Sequence, residues 1–217
     1  MKVKLGDIST INRQTIGNKF AFSKMKYLDT SSITNGFITN IQEFDYPSQD
    51  IPSRAQRVVK DRTIIYSTVR PRLCHYGILM NPDENLIVST GFVTIDVDTS
   101  IADPIYIFNI LRNSKITEYL GNIADTAVSS YPSISPDDLR NLELDILEDI
   151  DEQKKIGDLL NNIDKKIEIN NKIQYELEII SKTLYDYWFL QFDFPNENGK
   201  PYKSSGGKMV WDEELKR

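Results

Sequence analysis

The chain has 217 residues, 40% of them hydrophobic and 10% aromatic, which is enough to bury a core and excludes global disorder. Its 26 Lys and Arg stand against 32 Asp and Glu, a net charge of −6, so it is not a uniformly basic nucleic-acid binder; any grip on phosphates must come from a local patch or from partners that add cations. A single cysteine, Cys74, excludes an internal disulfide framework, and with no apolar leader after Met1 and no bilayer-length apolar run the chain is expected in the cytoplasm, away from membranes.

Residues 1–148 predict an α+β, strand-rich globular domain. The β-branched run Ile64-Ile65-Tyr66-Ser67-Thr68-Val69 reads as a strand closed by Arg70-Pro71, since the residue before a proline resists helix and the ring ends the ladder. Leu86–Thr90 and Phe92–Val97 are two further strand-like runs on either side of Gly91. A helix is predicted over Pro104–Asn113, with Asp103 as its cap and Pro104 in its first turn. Ser135-Pro136-Asp137-Asp138 repeats that grammar and starts a short helix before the strand Leu142–Ile146. These signals do not fix the topology.

A long helix is predicted over residues 149–192: from Ile150 to about Phe192 there is no proline, and Gly157 is the only glycine. Apolar residues recur at Ile156, Leu160, Ile163, Ile167, Ile173, Leu177, Ile180, Leu184 and Trp188, in steps of 4, 3, 4, 6, 4, 3, 4 and 4. That alternation is a coiled-coil seam. Asn170 divides the six-residue gap into two steps of three, a local overwinding. Asn170 has two readings, a polar seam residue that sets register at some cost in stability, or a position where the stripe drifts off its interface. About 40 residues at ~1.5 Å each make a rod of roughly 60 Å. So narrow a stripe cannot be buried against itself and needs another helix. Residues 193–217, with Pro195-Asn196-Glu197-Asn198-Gly199 and Ser204-Ser205-Gly206-Gly207, read as a polar, turn-rich extension.

Catalytic motifs are scarce. No Pro-Pro pair is present for a base-methylation loop, and Gly206-Gly207-Lys208 lacks the upstream glycine of a phosphate loop, so neither a methyl-donor cofactor nor a nucleotide is expected. Pro136-Asp137 followed by Glu152-Gln153-Lys154 matches a short metal-nuclease spacing, but that chemistry needs Glu and Lys on one strand and the triplet here opens a helix. His75 is the only histidine, and Cys74-His75 has no second pair to complete a zinc site, so no metal is expected. The strongest local signal is electrostatic. Arg54, Arg57, Lys60, Arg62, Arg70 and Arg72 fall within one stretch against a single acid, Asp61, with Ser67, Thr68, His75 and Tyr76 beside them. They form either a face that tracks phosphates and reads guanine edges or a solvated basic segment paired with nearby carboxylates.

Several short motifs together resemble the specificity subunits of type I restriction–modification systems. They are Lys4-Leu5-Gly6-Asp7-Ile8, Tyr27–Ile33 with Asn35-Gly36, Pro52-Ser53-Arg54-Ala55, Ile65–Pro71, Ser89-Thr90-Gly91-Phe92, Tyr131-Pro132-Ser133-Ile134, and Glu152-Gln153-Lys154-Lys155-Ile156. Leu147-Glu148-Asp149-Ile150 stands where the family has prolines before its Glu-Gln motif. The resemblance implies a non-catalytic target-recognition domain on a spacer helix, half of the family's plan of two such domains on antiparallel helices. It implies double-stranded DNA with a bipartite target as ligand, and modification methyltransferase subunits and a restriction motor-nuclease subunit as partners. A second copy of the chain, or a second half-subunit, would supply the other helix. Tyr131 joins the candidate DNA-contacting residues on this ground. The rival readings are a coiled-coil adaptor with a protein-binding head and a stand-alone nuclease.

Overall fold

A computed structural model describes residues 1–17, 20–48, 50–126, 132–211 and 213–214; the expectation at Tyr131 falls outside them. The chain divides into two units, Met1–Ile163 and Asp164–Arg217.

In the first unit the strands are β1 (Lys2–Lys4), β2 (Ser9–Ile11), β3 (Lys24–Leu28), β4 (Ile33–Thr34), β5 (Phe37–Ile38), β6 (Gln42–Asp45), β7 (Ala55–Val58), β8 (Thr63–Ser67), β9 (Tyr76–Leu79), β10 (Leu86–Ser89) and β11 (Phe92–Val97). Helices α1 (Pro104–Leu111), α2 (Ser114–Thr126) and α3 (Pro136–Arg140) follow, then β12 (Glu143–Asp145) and the start of α4 (Ile150–Tyr185). Two four-stranded sheets organise the unit, one in the order β6-β3-β10-β7 and one in the order β2-β11-β8-β9. The first contains a parallel pair, β3 with β10, and the second is antiparallel throughout. Consecutive strands β10 and β11 belong to different sheets, so the two-residue link Thr90-Gly91 carries the chain from one sheet to the other.

Strand β8 is buried along its whole length. Ile64 and Tyr66 face a core shared with Tyr106, Ile107, Leu111, Leu120 and Ala124 of α1 and α2. Ile65 faces the other way, onto Leu28, Leu86, Val88 and Phe92. A strand covered on both faces reads as a continuous apolar run instead of an alternating one, which is why Ile64-Ile65-Tyr66 shows no polar partner in its pattern. Tyr66 stacks on Tyr76 with ring centroids 5.3 Å apart. Burial pushes the Tyr66 phenol up to about 12, and among the described residues its hydroxyl has no hydrogen-bond partner. Tyr66→Phe therefore removes no well-formed hydrogen bond among the described residues, only the approach of the hydroxyl to Thr117. Urea unfolding should place it within about 1 kcal/mol of the parent, whereas Tyr66→Ala should lose about 3–5 kcal/mol to the cavity.

The helix starts follow the capping grammar. The Asp103 side chain accepts from the Tyr106 amide at 2.8 Å with Pro104 in the first turn, and Ser135 and Asp138 form a reciprocal capping box. The helix predicted to Asn113 ends at Leu111, and the strand predicted to Val69 ends at Ser67 because the Ser67 hydroxyl turns back onto the Val69 amide at 3.2 Å. Strand β12 pairs antiparallel with β1, setting Lys2 against Asp145 and Lys4 against Glu143.

The first turns of α4 are locked to α1. Asp149 caps α4, accepting from the Asp151 amide at 2.8 Å and the Glu152 amide at 3.3 Å, so the helix starts at Ile150 without the family's prolines. Gln153 is fully buried: its Oε1 accepts from the Asp103 amide at 2.8 Å and its Nε2 donates to the Leu147 carbonyl at 2.7 Å. Gly157 lies so close to α1 that a Cβ there would stand 3.0 Å from Asp103 Oδ1 and 3.1 Å from the Tyr106 amide nitrogen.

The second unit holds the remaining turns of α4 and a π-helical turn, Asp186–Leu190. Regular α-helix thus ends at Tyr185 instead of continuing to Phe192. Trp188, expected on the seam, falls in the π-turn, whose i→i+5 bonds widen the turn and rotate it off a 3.6-residue stripe. In the extension the Asp193 carboxylate accepts from the Ser204 hydroxyl and, at 2.7 Å, from the Ser204 amide, which hold its carboxyl below the ordinary value. Phe194 stacks on Tyr202 at 4.9 Å. Among the described residues no helix is long and apolar enough to cross a membrane.

Candidate nucleic-acid interface

The short motifs that are scattered along the sequence converge at one end of the two sheets, around the Thr90-Gly91 link. The Thr90 amide donates to the Arg54 carbonyl at 2.8 Å, tying the Pro52–Ala55 turn to the link. The Thr68 amide and hydroxyl both donate to the Gly91 carbonyl, at 2.9 and 3.1 Å. The Ile134 amide donates to the Thr68 carbonyl and the Arg70 amide to the Pro132 carbonyl, both at 2.9 Å, with Val69 and Ser133 bridged between them. Gly91 is needed here: a Cβ would come within 2.9 Å of Thr30 Cγ2. Next to Thr30, the Asp29 carboxylate accepts from the Tyr27 hydroxyl and the Ser31 hydroxyl, each at 2.9 Å. Burial opposes ionisation of Asp29, but the hydrogen bonds from Ser31 and Tyr27 outweigh it and hold the carboxyl below its ordinary value.

At this end Arg54 and Arg70 are exposed and Thr68 is half-buried. Arg70 adopts a left-handed backbone (φ +48°), as does Cys74 (φ +57°), so two non-glycine residues in that region bracket the tight turn Pro71–Leu73. Arg57 lies on β7 opposite Val88, half-buried, and desolvation pulls its guanidinium below the ordinary arginine value.

The six cations do not form one patch. Lys60 and Arg62 sit in the turn before β8, at the opposite end of that strand from Arg70, with the strand's length of roughly 13 Å (~3.3 Å per residue) between the two ends. Lys60 lies 3.8 Å from Asp96, and Arg62 lies 3.6 Å from Asp61. Arg72 points to α2: its guanidinium donates to Asp125 at 2.6 Å and to Asn122 at 2.7 Å, and it packs flat against Gly121, where a Cβ would meet its Cζ at 2.7 Å. Charge along a sequence is blind to the chain's path, which leaves the Thr90-Gly91 end along β7 and comes back to it along β8 in the other sheet, and that path splits the group.

Two residues expected at a reading face are interior. Ser67 is buried and its hydroxyl is engaged with Val69. Tyr76 is buried under α1, donating at 3.1 Å to Asn35 Oδ1 and at 3.4 Å to the Arg112 carbonyl. Both neighbour arginines in sequence, but β8 is covered on both faces and Tyr76 of β9 packs into the core beneath α1, so neither reaches the surface. His75 is half-buried, its Nδ1 2.6 Å from the Ile33 carbonyl. The polar groups that charge-based reasoning passed over at this end are Asp29, Ser31, Ser53 and Thr90. The signal that marks them is membership of the short motifs. The nuclease pattern does not assemble: Glu152 and Lys154 stand two apart on α4, on different sides of a helix, and Asp137 pairs with Arg140 within α3.

Comparison with known proteins agrees with this architecture. A family profile described as the type I restriction modification DNA specificity domain matches residues 1–179. The specificity subunit of type I restriction enzyme HindI from Haemophilus influenzae is 33% identical over 190 residues, covering 87% of this chain and 40% of the relative. That of MjaIX from Methanocaldococcus jannaschii is 25% identical over 180 residues, covering 80% and 38%. The fold is shared with the HsdS subunit of Thermoanaerobacter tengcongensis (TM-score 0.66, 24% identity, 92% of this chain and 50% of that one). It is also shared with the type I S subunit of M. genitalium (TM-score 0.54, 15% identity, 88% and 46%). The chain therefore spans two fifths or less of these curated relatives and half or less of these solved chains. With the profile running from residue 1 to residue 179, the chain belongs to the type I restriction–modification DNA specificity family.

Proposed function

We propose that residues 1–148 read one half of a bipartite target on double-stranded DNA, that residues 149–192 form a spacer helix on which modification methyltransferase subunits dock, and that residues 193–217 extend it. The chain carries no catalytic step itself. Methyl transfer and cleavage belong to the modification subunits and the motor-nuclease subunit, and α4 pairs with a second such helix, from another copy or from a second half-subunit. The observation that supports this reading is the convergence of five motif segments on the Thr90-Gly91 link, with exposed Arg54 and Arg70 at the same end. Arginine there suits bidentate contact with guanine or phosphate. Such a local cationic edge on an acidic chain fits a reader whose partners supply much of the phosphate grip.

The test is a base-resolution methylation map of DNA from cells expressing the neighbouring modification subunit, with and without this chain. A bipartite motif methylated only when the chain is present is the expected result. No new methylation from a complex shown to be assembled overturns the proposal and favours an adaptor.

A further inference from the structure

A cavity of about 210 Å3 opens between the Arg70–Cys74 turn and the last turn of α2. Its walls are apolar: Pro71 and Ala124, both buried, with Leu73 and Pro132 beside them. Arg70 and Pro132 belong to this cavity and also to the cluster of motif segments, because the Arg70 amide donates to the Pro132 carbonyl at 2.9 Å. The cavity therefore lies at the same end of the sheets as the Thr90-Gly91 link. The turn that forms one side of it is stiff. Pro71 has a fixed φ, left-handed Arg70 and Cys74 bracket it, and the Leu73 amide donates to the Arg70 carbonyl at 2.9 Å. Leu73 is nevertheless 48% exposed, so an apolar side chain is held ready at the mouth with nothing within the chain covering half of it. The carboxylate on the rim, Asp125, is neutralised by Arg72 at 2.6 Å, which removes a charge that would repel a polyanion.

We propose that this cavity takes the C5-methyl edge of a thymine in the target half-site, next to the base pair met by Arg70. The inference rests on the DNA-reading proposal and names one chemical group that the reading edge recognises. In the major groove the thymine C5-methyl is the apolar group that separates one base from the others. Arginine takes the O6 and N7 acceptors of guanine in that same groove, so a cation beside an apolar hollow matches a guanine beside a thymine. A phosphate is a poor occupant. It calls for donors, and Pro71 and Pro132 have no amide hydrogen while the Leu73 amide is already bonded to Arg70. Cytosine at the same step brings no methyl and leaves Leu73 facing a polar edge. Because the hollow is preformed, little ordering is needed when the methyl enters, and the gain is that of apolar surface leaving water.

The test uses the full chain assembled with its modification subunit and a target duplex taken from the methylation map. Each thymine of the half-site, on either strand, is replaced in turn by uracil, which lacks only the methyl. Competition binding then compares each duplex with the original. One replacement is expected to weaken binding about fourfold, the worth of one buried methyl group, while replacements outside the half-site change nothing. In a Leu73→Ala chain whose unfolding midpoint matches the parent, the same replacement is expected to cost nearly nothing, because the methyl has lost its wall. A half-site without thymine, uracil tolerated at every position, or an undiminished penalty in Leu73→Ala overturns the inference; continued preference for the target over unrelated DNA then leaves the reading proposal standing. Loss of the modification subunit from the Leu73→Ala complex, with uracil tolerated, would show that a protein covers the cavity and overturns it too. An assembled complex with no preference for the target removes the reading proposal and this inference with it.

Discussion

Replacing Gln153 with leucine should destabilise the first unit by about 1.5–4.5 kcal/mol, because one buried backbone group is left unpaired at about 1–3 kcal/mol and one part-buried bond worth about 0.5–1.5 kcal/mol is lost. The two groups are the Asp103 amide and the Leu147 carbonyl, and they lie on the elements that α4 joins. For a unit of this size the loss should lower Tm by about 3–18 °C, at roughly 2–4 °C per kcal/mol. Gln153→Glu adds a pH signature. The new carboxylate still accepts from the Asp103 amide, but it faces the Leu147 carbonyl in a buried site, so its folded pKa is raised above the unfolded one. The variant is then nearest the parent in acid, below the unfolded carboxylate pKa, and loses stability as pH rises through the raised value. Gly157→Ala tests the same contact from the side, since its Cβ would press on Asp103 Oδ1 at 3.0 Å. Unfolding midpoints for all three variants that match the parent would mean that the lock contributes nothing.

Removing the two exposed arginines of the loop cluster should abolish site-specific methylation without unfolding the chain. A base-reading arginine is worth about 1–3 kcal/mol, so Arg54→Ala with Arg70→Ala should weaken target binding by about 10²–10⁴-fold. Arg70 allows a sharper test than alanine. Its left-handed backbone costs a non-glycine residue about 1–2 kcal/mol, a strain that glycine does not feel. Relief of that strain offsets what the lost side chain contributed, so Arg70→Gly is expected to stay within about 1 kcal/mol of the parent and to be more stable than Arg70→Ala, while methylation falls as it does in Arg70→Ala. Arg72→Ala should behave in the opposite way, costing stability through the lost Asp125 and Asn122 bonds and weakening recognition only as far as α2 loosens. Lys60→Ala, at the far end of β8, should weaken binding to all sequences alike or not at all. Unchanged methylation in Arg70→Gly would remove Arg70 from the interface.

The parts of this fold that were legible in the sequence are those whose signals are local. The caps at Asp103 and Ser135, the doubly buried run of β8 and the long proline-free stripe of α4 each announce an element within a few residues. Helix α2 was missed. Its start at Ser114 follows α1 after only two residues, and Gly121 within it reads as a breaker until the flat packing of Arg72 against it is seen. The short strands β1 to β6 were missed as well, since two to five residues carry too little pattern to stand above loops. At the candidate site, cations close in sequence are separated in the fold, while the short motifs, far apart in sequence, lie together. Arg54 and Arg70 come together because Thr90 and Gly91 bond to segments 36 and 23 residues away in sequence, a closeness that no window along the chain contains. Lys60, only six residues from Arg54, is carried to the other end by one strand. The roles of Ser67 and Tyr76 depended on which side of β8 and β9 faces α1, and both sides of β8 are apolar, so alternation gave no warning.

The pairing of β1 with β12 has a mechanical meaning for the first unit. Its first and last strands are neighbours about 5 Å apart, with Lys2 opposite Asp145 and Lys4 opposite Glu143 in their register. Whatever lies between them forms a closed loop in space. A change of sequence within that loop therefore leaves the β1–β12 pairing and its register free to persist, because none of the paired residues belongs to it.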